Sequence, residues 1–444
     1  MTDTTATGTT APSPANKARR KDLVAATLGN FLEHYDFVLF AVFAPIISTS
    51  FFPSDDPTAA LLNTFAIYGV AFVGRPLGAA LFGRYGDRAG RRKSLSAAVL
   101  LMVVATLIIG ITPSYDRIGV WAAVVLFTAR FVQGLSAGGE MAGSGSYLVE
   151  MAPPRRRALF SSWQSTSSSL GQVAASGLGA LLAALLSDPD MDGWGWRLAF
   201  LAAVPLGFIG LYMRLNLMET PRFQAVLAEN QVVKAPIAEI LRHHRHALLV
   251  AMGVTVAWTI SAYLYLAYMP TYLTKVIGLD FGTALTINLV TVAAYVPAVP
   301  AAAWLSDRVG RRPMMIAGCL ATFAFTYPAL QLMRGGDIGL IVVANLVLLL
   351  SFATFASVAP ASLSELFPTR VRYSAVAVSY AVTVAALGGT APFISTLLID
   401  MTGTPVAPAF YMMAGSLVTL CVLLTAFRDR AHRPLPDEPA VTAR

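Results

Sequence analysis

Long apolar runs separated by short polar gaps dominate this chain. About twelve are long enough to cross a hydrocarbon core of ~30 Å, which takes ~20 residues of helix. They cover approximately 24–52, 59–83, 94–112, 119–141, 159–187, 197–215, 246–276, 281–305, 313–333, 338–363, 372–399 and 408–427. At these lengths a helix alone satisfies every backbone polar group within its own segment. The pattern therefore predicts an all-α membrane protein with twelve transmembrane helices.

The polar gaps repeat. Gly83-Arg84-Tyr85-Gly86-Asp87-Arg88-Ala89-Gly90-Arg91-Arg92 follows the second span, and Ala303-Trp304-Leu305-Ser306-Asp307-Arg308-Val309-Gly310-Arg311-Arg312 follows the eighth. The Asp, Gly and Arg residues recur at an offset of 220. A second pair follows the fourth and tenth spans: Glu150, Pro153 and Arg157 match Glu365, Pro368 and Arg372 at an offset of 215. Two motifs repeated in the same order indicate two homologous halves. The predicted fold is thus two pseudo-symmetric six-helix bundles with both termini cytosolic. The expected division is a disordered N-terminus 1–21, a first bundle 22–215, an interdomain loop 216–245, a second bundle 246–427 and a tail 428–444.

The repeated loops suit an element that switches. Gly83 and Gly86 permit close packing and turning, and Gly90 suits a helix end that needs positive φ. Asp87 can accept from amides at the start of the next helix. Arg88, Arg91 and Arg92 can pair with Glu150 or with Glu365 of the other half. A gate is therefore expected from Asp87, Arg88, Arg91, Glu150 and Arg157, with Asp307, Arg308, Arg311, Glu365 and Arg372 as their counterparts. The competing reading is purely topogenic, with the arginines holding the loops inside.

Composition supports the membrane reading. Hydrophobic residues make up 56% and charged residues 13% of the chain, against roughly a quarter charged in a soluble domain. The net charge of +8 is unevenly placed. Lys and Arg gather in the gaps of one side, while Asp55, Asp56, Asp116, Asp188, Asp190, Asp192, Asp280, Asp337 and Asp400 mark the other. This is the positive-inside pattern, so the basic balance reports topology and not a nucleic-acid partner. Cys319 and Cys421 lie in apolar spans and suggest neither a disulfide nor a metal site. The cluster His243-His244-Arg245-His246 has no accompanying carboxylate or thiol spacing and reads as a solvated loop. No cofactor, metal ligand set or nucleophile constellation is expected, and the chain is not read as an enzyme.

The ionisable residues within spans carry the chemistry, because each costs several kcal/mol at the bilayer centre unless paired or used. At about 1.5 Å per residue, Glu33, Asp36, Arg75 and Arg130 all reach the middle of the first, second and fourth spans. Two acids and two arginines at one depth suggest a proton-coupled anion site. In this reading Arg75 and Arg130 hold carboxylates bidentately, and pair with Glu33 and Asp36 when empty. Protonation of an acid would free an arginine, which links proton and substrate binding reciprocally. The alternative is a static salt-bridge network. His34 is the one histidine in a span and is read either as tuning substrate or proton binding or as packing. The fifth span carries a polar stripe, Gln164, Ser168 and Gln172. Gln172, Tyr263 and Asn288 lie near mid-depth and complete the candidate substrate contacts.

These residues also carry a family resemblance. G-x-x-x-D-R-x-G-R-R, with its later echo, resembles the signature of the major facilitator superfamily. Gly29-Asn30-Phe31-Leu32-Glu33-His34-Tyr35-Asp36-Phe37, Phe51-Phe52-Pro53, Arg75-Pro76-Leu77-Gly78, the run from Arg130 to Glu140 and Ser161-Ser162-Trp163-Gln164 resemble its metabolite:proton symporter branch. His34 departs from that branch, where Trp or Gln is usual. Val38-Leu39-Phe40 and Gly388-Gly389-Thr390-Ala391-Pro392-Phe393-Ile394-Ser395-Thr396 look most like the citrate and tricarballylate carriers. The resemblance implies a secondary active transporter of the bacterial inner membrane. It is expected to work as a monomer, importing a small organic anion, a di- or tricarboxylate such as citrate, with protons by alternating access. The alternatives are proton symport of 2-oxoglutarate, shikimate, an aromatic acid or a zwitterionic osmolyte, and, remotely, a non-transporting sensor.

Overall fold

A computed structural model describes residues 14–89, 91–153, 155–215 and 236–431. All regular structure among them is helical. The first part holds α1 (Pro14–Val42), α2 (Ala44–Phe51), α3 (Pro57–Ala89), α4 (Arg91–Ile111), α5 (Trp121–Met151), α6 (Arg157–Leu185) and α7 (Trp196–Leu215). The second holds α8 (Arg245–Ala262), α9 (Phe281–Tyr295), α10 (Ala298–Val309), α11 (Arg311–Met333), α12 (Ile338–Glu365), α13 (Thr369–Thr383), α14 (Ala391–Thr402) and α15 (Ala407–Thr425). Ten helical segments among the described residues are long and apolar enough to cross a membrane. A bent pair, Thr27–Val42 with Ala44–Phe51, and the shorter apolar helix Ser96–Ile111 accompany them.

Local sequence explains the breaks. The bend between α1 and α2 measures 61° and coincides with Pro45, which cannot donate to the carbonyl four residues back. Asp280 and Asp337 cap α9 and α12, accepting from the amides of Thr283 at 2.8 Å and Leu340 at 2.9 Å. Gly310 separates α10 from α11 at φ +103°, where a side chain would be strained. The spans read as continuous at 246–276 and 372–399 are instead interrupted. Tyr263–Tyr268, Tyr272–Val276 and Val384–Gly388 are π-helical, and the amide of Gly389 bonds the carbonyl of Val384. Such widened turns shift the side-chain register in mid-helix.

α3 and α5 touch backbone to backbone along a glycine seam. A Cβ on Gly134 would lie 1.8 Å from the Ala71 carbonyl oxygen, and one on Gly138 would lie 1.9 Å from that of Arg75. Only glycine admits this approach, and it sets Arg75 and Arg130 on adjoining helices.

α6 is the main bridge between the two parts, packing against α9, α10 and α12. Contacts run along its whole length. Near its start, the amides of Ala158 and Leu159 bond Asp307. Ser165 then donates to the Ala356 carbonyl at 2.6 Å. Further on, Ser176 accepts from Asn288 at 2.8 Å. Near its far end, a Cβ on Gly179 would press on Leu285. The two parts thus meet along the length of this helix.

Candidate functional site

Four ionisable residues meet in the interior of the first part, all nearly inaccessible to solvent. Glu33 and Asp36 stand one turn apart on α1. Arg75 reaches Glu33 from α3, with Nη2 3.0 Å from Oε1. Arg130, on α5, does not pair directly with Asp36 as the spacing suggested. Its Nη1 donates to Gln133 Oε1 at 2.9 Å, and Gln133 Nε2 donates to Asp36 Oδ2 at 2.5 Å. Thr106 of α4 donates to Asp36 Oδ1 at 2.5 Å and accepts from Gln133 at 2.9 Å. Asp36 is therefore held by two neutral donors, and Arg130 is one amide removed from it. Nε and Nη2 of Arg130 have no hydrogen-bond partner among the described residues.

Aromatic rings face both guanidinium groups. Arg75 lies over Phe37 and Phe72, at 4.7 and 4.6 Å from the ring centroids. Arg130 lies over Phe37, Phe40 and Tyr68 at 4.6, 4.5 and 5.1 Å. Tyr263 closes the box from the second part, its ring edge-on to Phe72 at 5.0 Å. Buried rings attract cations through their negative faces, by about 2 kcal/mol or more where water is excluded. Of these, Tyr263 was singled out from sequence, whereas Gln133, Thr106, Tyr68 and Phe72 were not. A signal existed in the spacing Phe65, Tyr68, Phe72 and Arg75, which share one helical face.

The other candidates surround this centre. Gln172 donates to the backbone carbonyl of Leu266, which lies in the π-helical Tyr263–Tyr268 segment and whose residue four on, Pro270, has no N–H to offer it. Asn288 donates one hydrogen bond to Ser176 and keeps an unpartnered, buried Oδ1 among the described residues. The polar stripe read as Gln164, Ser168 and Gln172 therefore extends one turn further, to Ser176. His34 is half-buried, and its Nδ1 lies 2.8 Å from the Asn30 carbonyl. A carbonyl only accepts, so Nδ1 carries the proton. Asn30 Nδ2, with two hydrogens to donate, lies within hydrogen-bond reach of the Gln164 carbonyl, Ser167 Oγ and Ser168 Oγ at 2.7, 2.9 and 2.7 Å, tying α1 to α6.

The repeated loops are described in one copy. The side chains of Asp87, Arg88, Arg91 and Glu150 lie outside the described residues. In the second copy, Asp307 accepts from the backbone amides of Ala158 and Leu159, both at 3.0 Å. It thus caps α6 of the opposite half, where the sequence suggested a cap on the adjoining helix. Arg311 binds Asp307 at 2.9 Å and Glu365 at 3.1 Å. Arg372 donates through Nε to the carbonyls of Ser364 and Phe367 at 2.9 and 3.2 Å. Arg157 is buried at the start of α6, and the Arg308 guanidinium stacks 3.6 Å over Trp304. Arg311, Glu365 and Arg372, at the ends of the apolar spans of the second half, are all buried.

Comparison with known proteins places these features. The profile of the "Sugar (and other) transporter" family matches residues 22–235 and again 224–428. The chain is 35% identical over 425 residues to the glycine betaine/proline/ectoine/pipecolic acid transporter OusA of Dickeya dadantii, covering 94% of this chain and 84% of that one. It is 35% identical over 427 residues to a proline/betaine transporter of Escherichia coli, covering 94% and 85%. The partially occluded, inward-open structure of the xylose transporter XylE from E. coli superposes with a TM-score of 0.76 at 19% identity, covering 94% of this chain and 99% of that one. The fold is thus that of a multi-pass transporter.

The citrate and tricarballylate expectation is overturned, because these relatives are named for betaine and proline and not for di- or tricarboxylates. The site offers a physical reason. At formal charge, Glu33, Asp36, Arg75 and Arg130 sum to zero. Beside this balanced, buried set, a di- or trianion brings net negative charge that costs several kcal/mol per ion unless protons offset it.

Proposed function

Because the chain belongs to the sugar (and other) transporter family, we propose that it imports small zwitterionic osmolytes, of the betaine and proline class, together with protons. The observation that carries this reading is the open edge of Arg130 inside an aromatic box. One guanidinium edge takes one carboxylate in a two-point hydrogen bond. The face of Tyr263, and that of Tyr68 once Arg130 turns to the carboxylate, take the ammonium end, as aromatic cages do for quaternary ammonium groups. A zwitterion adds no net charge to a site that is already balanced. The names of the relatives support the same class.

Asp36 is the proposed proton carrier, and Glu33 the partner that holds Arg75 in place. Protonation of Asp36 removes the anion that Gln133 and Thr106 stabilise, and leaves the Arg130 charge to the substrate carboxylate. Substrate and proton then favour each other's binding by linkage. The two halves, 22–215 and 246–427, rock about this centre, with the repeated arginine loops on the cytosolic face. In this topology the bent pair α1–α2 and the helix Ser96–Ile111 each count as a crossing, which makes twelve with both termini inside.

The test is uptake by proteoliposomes under an imposed proton gradient. Labelled glycine betaine or proline should accumulate, a protonophore should abolish accumulation, and excess citrate should not compete. Accumulation of citrate with no uptake of either zwitterion overturns the proposal.

A further inference from the structure

An open space lies on the face opposite the arginine loops. It is a cavity of about 520 Å³ between the halves, within the size range of small-molecule sites. The first half contributes Ser48, Thr49 and Phe52, and the second contributes Tyr268, Lys275 and Asp400. Lys275 lies in the last turn of the π-helical Tyr272–Val276 segment, and Asp400 near the end of α14. The two carry opposite charges, both are exposed, and neither forms an ion pair among the described residues.

The floor of this cavity is thin. Tyr268 lines it and is hydrogen-bonded by Thr396, whose hydroxyl donates to Tyr268 Oη at 3.1 Å. The other side of the Tyr268 ring meets Phe65 edge-on at 5.6 Å. Phe65 lies one turn from Tyr68, the ring beneath Arg130. Tyr268 and Phe65 in succession therefore separate the cavity from the Tyr68 ring of the central site.

We propose that this cavity is a receiving subsite for the zwitterion, filled before the central site. Lys275 takes the carboxylate, Asp400 faces the ammonium group, and Phe52 and Tyr268 supply ring faces beside it. The Tyr268–Thr396 hydrogen bond is the latch that must part for the substrate to descend. This rests on the zwitterion reading of the central site and on the outward orientation of this face.

Saturation binding of labelled glycine betaine to the full-length protein in lipid nanodiscs, paired with uptake kinetics, tests it. The parent should bind two molecules per chain, one tightly and one weakly. The double variant Lys275→Gln/Asp400→Asn should bind one, and its uptake KM should rise about threefold at unchanged maximal rate, as expected for exposed charges. Salt should raise the parent's KM and leave the double variant's unaffected. Arg130→Ala should retain only the weak site. A single site in both parent and double variant, with uptake and KM unchanged, overturns the subsite while sparing the transport reading. Absence of any betaine binding to the parent overturns both.

Discussion

Asp307 offers the sharpest test of how the halves are held together. Its carboxylate accepts two backbone amides from the opposite half, Ala158 and Leu159, each at 3.0 Å. Replacing it with Ala removes both bonds and leaves two helix N-terminal amides without a partner. Hydrogen bonds to a charged acceptor contribute roughly 1.5–3 kcal/mol each. The low end for the two gives about 3 kcal/mol, and at 1.4 kcal/mol per decade that is a roughly hundredfold gain in the open population at this face. A cysteine at Ser161, buried one turn further along α6, reports it. In a background lacking Cys319 and Cys421, the alkylation rate of Ser161→Cys should rise roughly in proportion when Asp307→Ala is added. Asp307→Asn keeps one acceptor oxygen and should fall between. Arg311 retains Glu365 at 3.1 Å, so the C-terminal bundle stays folded and its thermal transition moves little. Equal alkylation rates with Asp and Ala at position 307 would refute the idea that this cap closes the face.

Three further outcomes follow from particular contacts. Gly134→Ala places a methyl 1.8 Å from the Ala71 carbonyl oxygen, so α3 and α5 must part, at a cost of about 3 kcal/mol. Both Tm and uptake should fall, and unchanged values would show that the seam is not rigid. Arg130→Lys keeps the charge but loses the planar fork and its cover of three rings, so betaine affinity should drop about tenfold with Tm nearly held; equal Kd by calorimetry would argue against a two-point contact. Asp280 caps α9 outside the apolar segment, and the hydroxyl and amide of Thr283 hold its carboxyl below the usual carboxylate range. A depressed folded value means the cap stabilises above the unfolded pKa and is lost as pH falls through the folded one. Asp280→Ala should therefore lower Tm at neutral pH and make no difference in strong acid, and a Tm gap that persists in acid would count against the carboxylate cap.

Much of the architecture was legible because membrane helices announce themselves. The apolar spans, the duplicated halves and the meeting of Glu33, Asp36, Arg75 and Arg130 all follow from run length, repeat offset and rise per residue. The register inside those spans was not legible. A π turn at Tyr263–Tyr268 or Val384–Gly388 leaves the composition unchanged and alters only which side chains face inward. Nor could spacing show that Asp307 reaches across to α6, since a cap on the adjoining helix uses the same residue. Gln133 was visible within a motif, yet its place between Arg130 and Asp36 depends on how closely α1, α4 and α5 approach.

The substrate class turned on the same limit. Two arginines at one depth read as two carboxylate clamps, and two clamps suggest a polyanion. The geometry divides their roles. Arg75 is neutralised by Glu33 at 3.0 Å, while Arg130 faces its acid only through Gln133 and keeps an open edge. One open edge accommodates one carboxylate. The aromatic faces around it are occupied by guanidinium carbon in this state, which shows that they tolerate a large, weakly hydrated cation. An ammonium group bearing methyl substituents has the same character. If the Arg130 guanidinium tilts toward an arriving carboxylate, it vacates ring surface that the substrate's own cation can take. Binding would then exchange one cation–π contact for another, which asks the site for little new desolvation and none of the added charge a tricarboxylate would bring.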